Sequence, residues 1–169
     1  RKMAANMFVE ISDIEGDATE EKHKNWIVVQ SANWNVERAV EMTDLGSTQR
    51  MHANSNFGKI ELTSQMGKAS NELAKSVANG TVRPEIIMHW CRSGDSQAEG
   101  LLEYSVWKLK DVVIDSYSIS ASEDGIPEET WSLAYAAIEH TYKSTNQKTG
   151  KLESPIVFQW NVQTGKFEY

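Results

Sequence analysis

The amino-acid sequence predicts a mainly β fold: a single antiparallel β-barrel with one short α-helix packed against it. Hydrophobic and polar residues alternate with a period of two through most of the 169 residues, as they do in half-buried strands. Valine, isoleucine, tryptophan, tyrosine and threonine, which favour strands, fill these segments. A single segment shows the four-residue spacing of an amphipathic helix. At this length we expect one domain.

Strands are predicted wherever apolar residues occupy every second position. Two of the predicted strands are long and cover residues 26–36 and 131–143. The flanking Pro127 and the Tyr, Thr and Ile content of residues 136–142 favour a strand over a helix in the second. The shorter strands are marked, in chain order, by Met7, Val9 and Ile11; Ile60 and Leu62; Ile86, Met88 and Trp90; Leu101, Trp107 and Leu109; Val112 and Ile114; and Ile156, Phe158 and Trp160.

The predicted helix contains Ala69, Leu73 and Val77, which lie four residues apart. We expect the Ser70 hydroxyl to cap its first turn, since it can accept from an otherwise unpaired backbone N–H. Asn79-Gly80 is expected to end it, because glycine tolerates the left-handed conformation beyond a helix. So short a helix is unstable alone in water and must pack on the sheet.

A long loop is predicted over residues 37–57, where periodicity is weak. Compact domains rarely leave more than about 12–15 residues unstructured, so a loop of this length is usually functional or docks on something. A second polar stretch, residues 144–155, precedes the last strand. Residues 6–169 are interpreted as the single domain, and residues 1–5 as the remnant of a tag and an N-terminal tail.

Composition excludes several classes of function. The formal net charge is −7, from 24 acidic and 17 basic residues, which disfavours nucleic acid and anionic membrane surfaces as partners. No apolar run approaches the roughly 20 residues of a membrane-spanning helix, so membrane insertion is not expected. The N-terminal residues lack the apolar core of a cleaved signal peptide, so any export is expected to use another route. A lone cysteine, Cys91, excludes an intramolecular disulfide.

The usual enzyme motifs are absent from the sequence, including nucleophile elbows, glycine-rich phosphate loops and zinc-protease helices. His89 and Cys91 are two residues apart on a predicted strand and therefore share a face. They could form a thiolate–imidazole pair or contribute two metal ligands. Because no third group stands nearby in sequence, we favour simple packing and expect no catalytic residue, metal or cofactor.

Several motifs resemble the Hcp family, the tube-forming proteins of type VI secretion systems. The resemblance begins at Met7-Phe8-Val9-Glu10-Ile11 and Ile14-Glu15-Gly16-Asp17, followed by His23-Lys24 and the strand after it. It continues through the helix and its Gly80 stop, residues 104–113 and residues 122–129, and covers about residues 5–162. Family members often carry Glu-Ser at the position of Asp17-Ala18. They often carry Leu-X-Trp-X-Trp at the position of residues 30–34, where this sequence has Gln-Ser-Ala-Asn-Trp.

The resemblance implies a structural protein, not an enzyme. Hcp proteins form hexameric rings of β-barrels, and the rings stack into a tube inside a contractile sheath. Sheath contraction propels the tube with its VgrG-type spike, and some members hold and protect small effector proteins in the lumen. The implied location is the bacterial cytoplasm before firing and the extracellular space or a target cell afterwards.

Within this interpretation we expect contacts with the lumen from the small polar residues at alternate positions of the first long strand: Ser31, Asn33 and Asn35. Contacts in ring closure or stacking are expected from charged residues of the long loop: Arg38, Glu41, Asp44 and Arg50. Three alternatives stay open at this point. They are a phage-like tail tube protein, a small hydrolase using Cys91 and His89, and a sugar-binding sandwich using the six tryptophans.

Overall fold

The computed structural model describes residues 6–40, 42–43, 46, 54–94 and 100–169. Within them the fold is antiparallel β with one α-helix, α1 (Ser70–Asn79), and one 3-10 turn (Glu21–His23). The strands are β1 (Met7–Glu10), β2 (Ile27–Val28), β3 (Ser31–Asn33), β4 (Val36–Arg38), β5 (Ser55–Phe57), β6 (Ile60–Gln65), β7 (Val82–Ser93), β8 (Leu101–Ser120), β9 (Glu128–Ala134), β10 (Ala137–Tyr142) and β11 (Ile156–Asn161).

One large sheet organises these strands. Its order is β2-β1-β7-β8-β9-β6-β3, with β10 paired to β8 and β11 paired to β10. The 20-residue β8 pairs with β7 over residues 101–113 and with β9 over residues 113–120. The predicted antiparallel, mainly β fold is therefore confirmed for the described residues.

The sheet curves until its two ends meet, but it is not closed as a barrel. The end strands β2 and β3 do not pair with each other, although only two residues separate them in the chain. Between them, Val29 N donates to Met7 O at 3.0 Å and Gln30 N donates to Thr63 O at 2.8 Å. In two residues the chain passes from the β1 edge to the β6 edge.

Both predicted long strands are interrupted. Residues 26–36 divide into β2, β3 and β4, because each segment pairs with a different neighbour. Residues 131–143 divide into β9 and β10 around Tyr135-Ala136, where Ala136 N donates to Lys110 O at 2.9 Å. Strand structure was predicted correctly in both segments, whereas their continuity was not.

The predicted loop over residues 37–57 is a hairpin at its described ends. Val36 pairs with Phe57 and Arg38 with Ser55, which makes β4 and β5 a separate two-stranded sheet. We call residues 36–57 the arm. Alternation failed to indicate these strands because all three β4 residues are exposed, so the strand has no buried face.

Helix α1 covers the sheet and buries Leu73 completely. Its end is as predicted: Gly80 has φ 65° and donates its N–H to Ser76 O at 3.0 Å. The predicted Ser70 cap is wrong, since helix α1 has no side-chain cap and the Ser70 hydroxyl accepts instead from Gly67 N at 2.9 Å. None of the helices in the described residues is long and apolar enough to cross a membrane.

The buried guanidinium of Arg83 connects β7 to both the turn after β1 and helix α1. Arg83 on β7 is 5% exposed and donates to both carboxylate oxygens of Asp13, at 2.8 and 3.0 Å. It also donates to the Ser76 hydroxyl of α1 at 2.8 Å. The guanidinium holds the pKa of the Asp13 carboxyl below its usual value, so this pair favours the folded state above the acid range.

The turn after β1 requires a glycine at position 16. Gly16 N donates to Asn25 O at 2.8 Å, and a Cβ on this residue would lie 2.3 Å from the carbonyl oxygen of Trp26. The obstructing atoms belong to the backbone of β2 and its approach, which side-chain rotation cannot move. Gly16 therefore permits the close contact between this turn and the segment that enters β2.

We predict that Gly16→Ala lowers the free energy of unfolding by about 1–3 kcal/mol, the usual cost of overpacking. Urea denaturation followed by tryptophan fluorescence measures the loss. Gly125→Ala is the matched control, because a Cβ there meets nothing within 4 Å. Equal stability of the two variants would contradict the close contact at Gly16.

Candidate functional site

The three predicted lumen residues lie on one exposed stretch of chain. Ser31 and Asn33 are on β3, and Asn35 follows it; all three are exposed, whereas Ala32 and Trp34 between them are half-buried. The backbone oxygen of Asn35 accepts from Gly58 N at 2.9 Å, which fixes the start of the arm. The structure thus leaves all three residues exposed, in alternation with half-buried ones.

A short hydrogen-bond relay attaches the arm to the large sheet. Trp34 Nε1 donates to the Tyr135 hydroxyl at 2.8 Å, and that hydroxyl donates to Gly58 O at 2.7 Å. Tyr135 stands in the interruption between β9 and β10. Its burial raises the pKa of the phenol, so the hydroxyl keeps its proton and its donor role at neutral pH.

Aromatic rings fill the space beneath the arm. Trp34 packs edge-on against Trp107 with ring centroids 5.3 Å apart, and Phe57 stacks on Trp160 at 5.3 Å. Phe158 lies 6.3 Å from Trp34 and 6.4 Å from Phe57. Such pairs contribute about 0.5–1.5 kcal/mol each beyond the burial of their area. The base of the arm is therefore held in place by packing as well as by hydrogen bonds.

Of the charged residues predicted to make contacts between subunits, Arg38 is described. It is exposed on β4, paired in register with Ser55. Glu41, Asp44 and Arg50 lie outside the described residues. Arg38 places a guanidinium on the outward surface of the arm.

The branch of the sheet formed by β10 and β11 has an apolar, half-paired edge. Strand β11 pairs with β10 and, among the described strands, with no other. Ile156 is 67% exposed and Val157 51% exposed, and Tyr142, opposite Ile156 in register, is 43% exposed. We call these three residues the β11 edge. Unpaired backbone groups beside apolar side chains are a template for another chain.

His89 and Cys91 do come together, with a partner that sequence spacing did not reveal. His23, fully buried at the end of the 3-10 turn, has its Nε2 2.9 Å from His89 Nδ1 and 3.9 Å from Cys91 Sγ. Its Nδ1 contacts the carboxylate of Glu20. Glu103 on β8 places a carboxylate oxygen 3.9 Å from His23 Nε2.

The environment of Cys91 is unsuited to a nucleophile. Burial, and then the carboxylates of Glu103 and Glu20, raise the pKa of the thiol to about 12, so it is protonated at neutral pH. A nucleophilic cysteine needs the opposite shift, toward the thiolate. Burial also lowers the pKa of His89. This arrangement gives no support to the hydrolase alternative.

The tryptophans do not form a sugar-binding platform. All six lie buried or half-buried, with Trp131 at 0% and Trp107 at 5% exposure. A carbohydrate platform needs an open ring face, so packing is the role that the structure supports.

Comparisons with known proteins agree with the fold. A sequence model of the family described as "Type VI secretion system effector, Hcp" matches residues 8–142, well over half of the chain. The pattern and the fold thus define a component of a bacterial secretion machine. The chain belongs to the Hcp family of type VI secretion proteins.

The relatives span nearly the whole chain. Protein hcp1 of Pseudomonas aeruginosa is 24% identical over 163 residues, covering 95% of this chain and 97% of the relative. A solved type six secretion system protein superposes with a TM-score of 0.85 at 24% identity, covering 96% and 99% of the two chains. Hcp1 from Salmonella typhimurium gives 0.73 at 24% identity, covering 97% and 99%. The resemblance read from the sequence is therefore confirmed, and the phage tail tube alternative loses its support.

The relay at the base of the arm gives a stability prediction. Tyr135→Phe removes the hydroxyl and leaves Trp34 Nε1 and Gly58 O without this partner, which costs about 1–3 kcal/mol of unfolding free energy. Urea denaturation measures the loss. Tyr104→Phe is the control, because Tyr104 lies on β8, outside both the relay and the β11 edge. If both variants lost the same small amount, the relay would not be what fixes the arm.

Proposed function

We propose that this chain is the tube subunit of a type VI secretion system. Six copies close into a ring, and rings stack into a tube that a contractile sheath propels together with a VgrG-type spike. The chain then acts through repeated shape and does no covalent chemistry. The observation that carries the proposal is the β11 edge, which leaves a half-paired apolar strand on a chain with the Hcp fold.

Ring closure supplies what a single copy lacks. A lone chain exposes Ile156, Val157 and Tyr142 beside unpaired backbone groups of β11. A neighbouring copy that covers this edge removes apolar area from water, worth about 25 cal/mol per Å². Most soluble homo-oligomers have closed symmetry, and a contact between two different patches generates a ring when its rotation closes.

The inner surface of the ring is proposed to contain Ser31, Asn33 and Asn35. Their short polar side chains expose amides and a hydroxyl but no charge and no large apolar group. A surface of this kind stays wet and binds small effector proteins weakly enough to release them. The proposed location follows from the same system: the cytoplasm before firing, then export together with the tube.

The β11 edge provides the direct test of ring formation. Val157→Asp is expected to shift the mass of the purified protein from that of a hexamer toward that of one chain, because a carboxylate cannot be buried without a partner. Light scattering coupled to size exclusion, with negative-stain microscopy, measures the change. The control is Ile126→Asp, a 62%-exposed apolar position in the turn between β8 and β9.

A wild-type protein that remains a single chain at high concentration would overturn the proposed function. A Val157→Asp variant that still forms rings would instead remove the β11 edge from the ring interface.

Stacking is expected to depend on Arg38. Arg38→Glu should weaken tube formation or ring register while leaving the fold intact, because charges at the rim of an interface set orientation and selectivity more than affinity. Sedimentation of tubes at low and high salt, with circular dichroism as the folding check, measures the effect. Lys148→Glu makes the same charge change on another exposed segment and should leave the tubes unaltered.

A further inference from the structure

Four side chains with metal-binding atoms converge between β7, β8 and the 3-10 turn. The donor atoms of His23, His89 and Glu103 all lie within 4.8 Å of one another. The Cys91 sulfur joins them at 3.9 Å from His23 Nε2. These groups come from three parts of the chain, so folding alone assembles them.

The register of the sheet explains this convergence. Cys91 and Glu103 are direct cross-strand partners on β7 and β8, which places their side chains on the same face of the sheet. His89 lies two residues before Cys91 on β7. His23 closes the cluster from above, its ring stacked on Phe8 at 4.4 Å between centroids.

We infer that His23, His89, Cys91 and Glu103 form a zinc-binding site within each chain. Zinc prefers four ligands in a tetrahedron, with bonds to nitrogen of about 2.0–2.1 Å, so donor atoms stand about 3.3 Å apart. The His23–His89 and His23–Glu103 separations of 2.9 and 3.9 Å bracket that value. Small side-chain movements therefore bring the two imidazoles and the carboxylate to a common ion, and the Cys91 sulfur, 3.9 Å from His23 Nε2, supplies the fourth ligand.

The surroundings of His23 match those of a zinc ligand. Its second ring nitrogen, Nδ1, contacts the carboxylate of Glu20, which fixes the ring and leaves Nε2 directed at the cluster. A carboxylate behind a ligating histidine is the usual outer-shell partner of protein-bound zinc. Glu20 is accordingly a positioning residue.

The donor set selects the class of metal. The partly exposed carboxylates at the site give an ion access to it. Two imidazoles and a thiol favour zinc over magnesium or calcium, which take oxygen ligands. Phe8 and Trp26 wall the cluster with apolar rings. The Glu20 and Glu103 side chains remain 23% and 28% exposed, so an ion reaches the site past these two carboxylates.

Zinc titration of the full-length chain, in competition with a chromophoric chelator, tests the inference. We expect one zinc ion per chain. Cys91→Ser, His89→Gln and Glu103→Gln should each weaken binding at least tenfold, and Glu20→Gln by about 10–100-fold, as for other outer-shell partners. His140→Gln is the matched control, because His140 is also half-buried but bonds to Ser105 at 2.7 Å, away from the cluster.

Cobalt as a spectroscopic substitute adds a second readout. Co²⁺ bound at this site should show a thiolate-to-metal charge-transfer band that Cys91→Ser abolishes and His140→Gln retains. Absence of zinc binding at micromolar concentration, or affinity unchanged in Glu103→Gln and Cys91→Ser, would overturn the inference. The site lies within one chain, so its failure leaves ring assembly untouched, and loss of rings leaves the zinc titration interpretable.

Discussion

Two backbone hydrogen bonds, from Val29 N to Met7 O and from Gln30 N to Thr63 O, determine how the molecule is arranged. At these two bonds the chain stops pairing with β1 and starts pairing with β6. The two ends of the long curved sheet therefore come close together without pairing with each other. The hydrophobic core packs against the curved sheet, and helix α1 covers the sheet. The arm begins at Val36, after β3, where the backbone hydrogen bond from Gly58 to Asn35 fixes its start.

Much of the fold was accessible to sequence reasoning because burial on one face imposes alternation. The strands around Met88, Leu109 and Trp160 and the end of α1 at Gly80 followed from period and residue type. The interruptions at residues 29–30 and 135–136 could not be predicted, because the alternation of apolar and polar residues can continue where a strand changes its pairing partner. The strands of the arm were missed for the opposite reason: β4 is exposed on both faces and carries no periodic signal.

The residues of the proposed site stay a prediction. Polar residues at alternate strand positions and charges in the long loop, interpreted with the family resemblance, indicated Ser31, Asn33, Asn35 and Arg38, and the structure finds all four exposed. Spacing indicated His89 and Cys91 as a pair but could not supply His23, which is 66 residues from His89 in sequence. Cross-strand register, which brings Glu103 opposite Cys91, is a property of the folded sheet. Tyr135 was predicted to be a strand residue. Its hydroxyl bridges Trp34 and Gly58 only because the folded chain brings these two residues beside it.

The β11 edge is one-sided: β11 pairs with β10 and, among the described strands, with no other. In the proposed ring, a neighbour that covers this edge with a different patch of its surface repeats the orientation of the copy before it, so the contact has polarity and no dyad. Nothing in such a contact stops at two copies. In that ring, copies add until the accumulated rotation returns to its start, and the ring closes there.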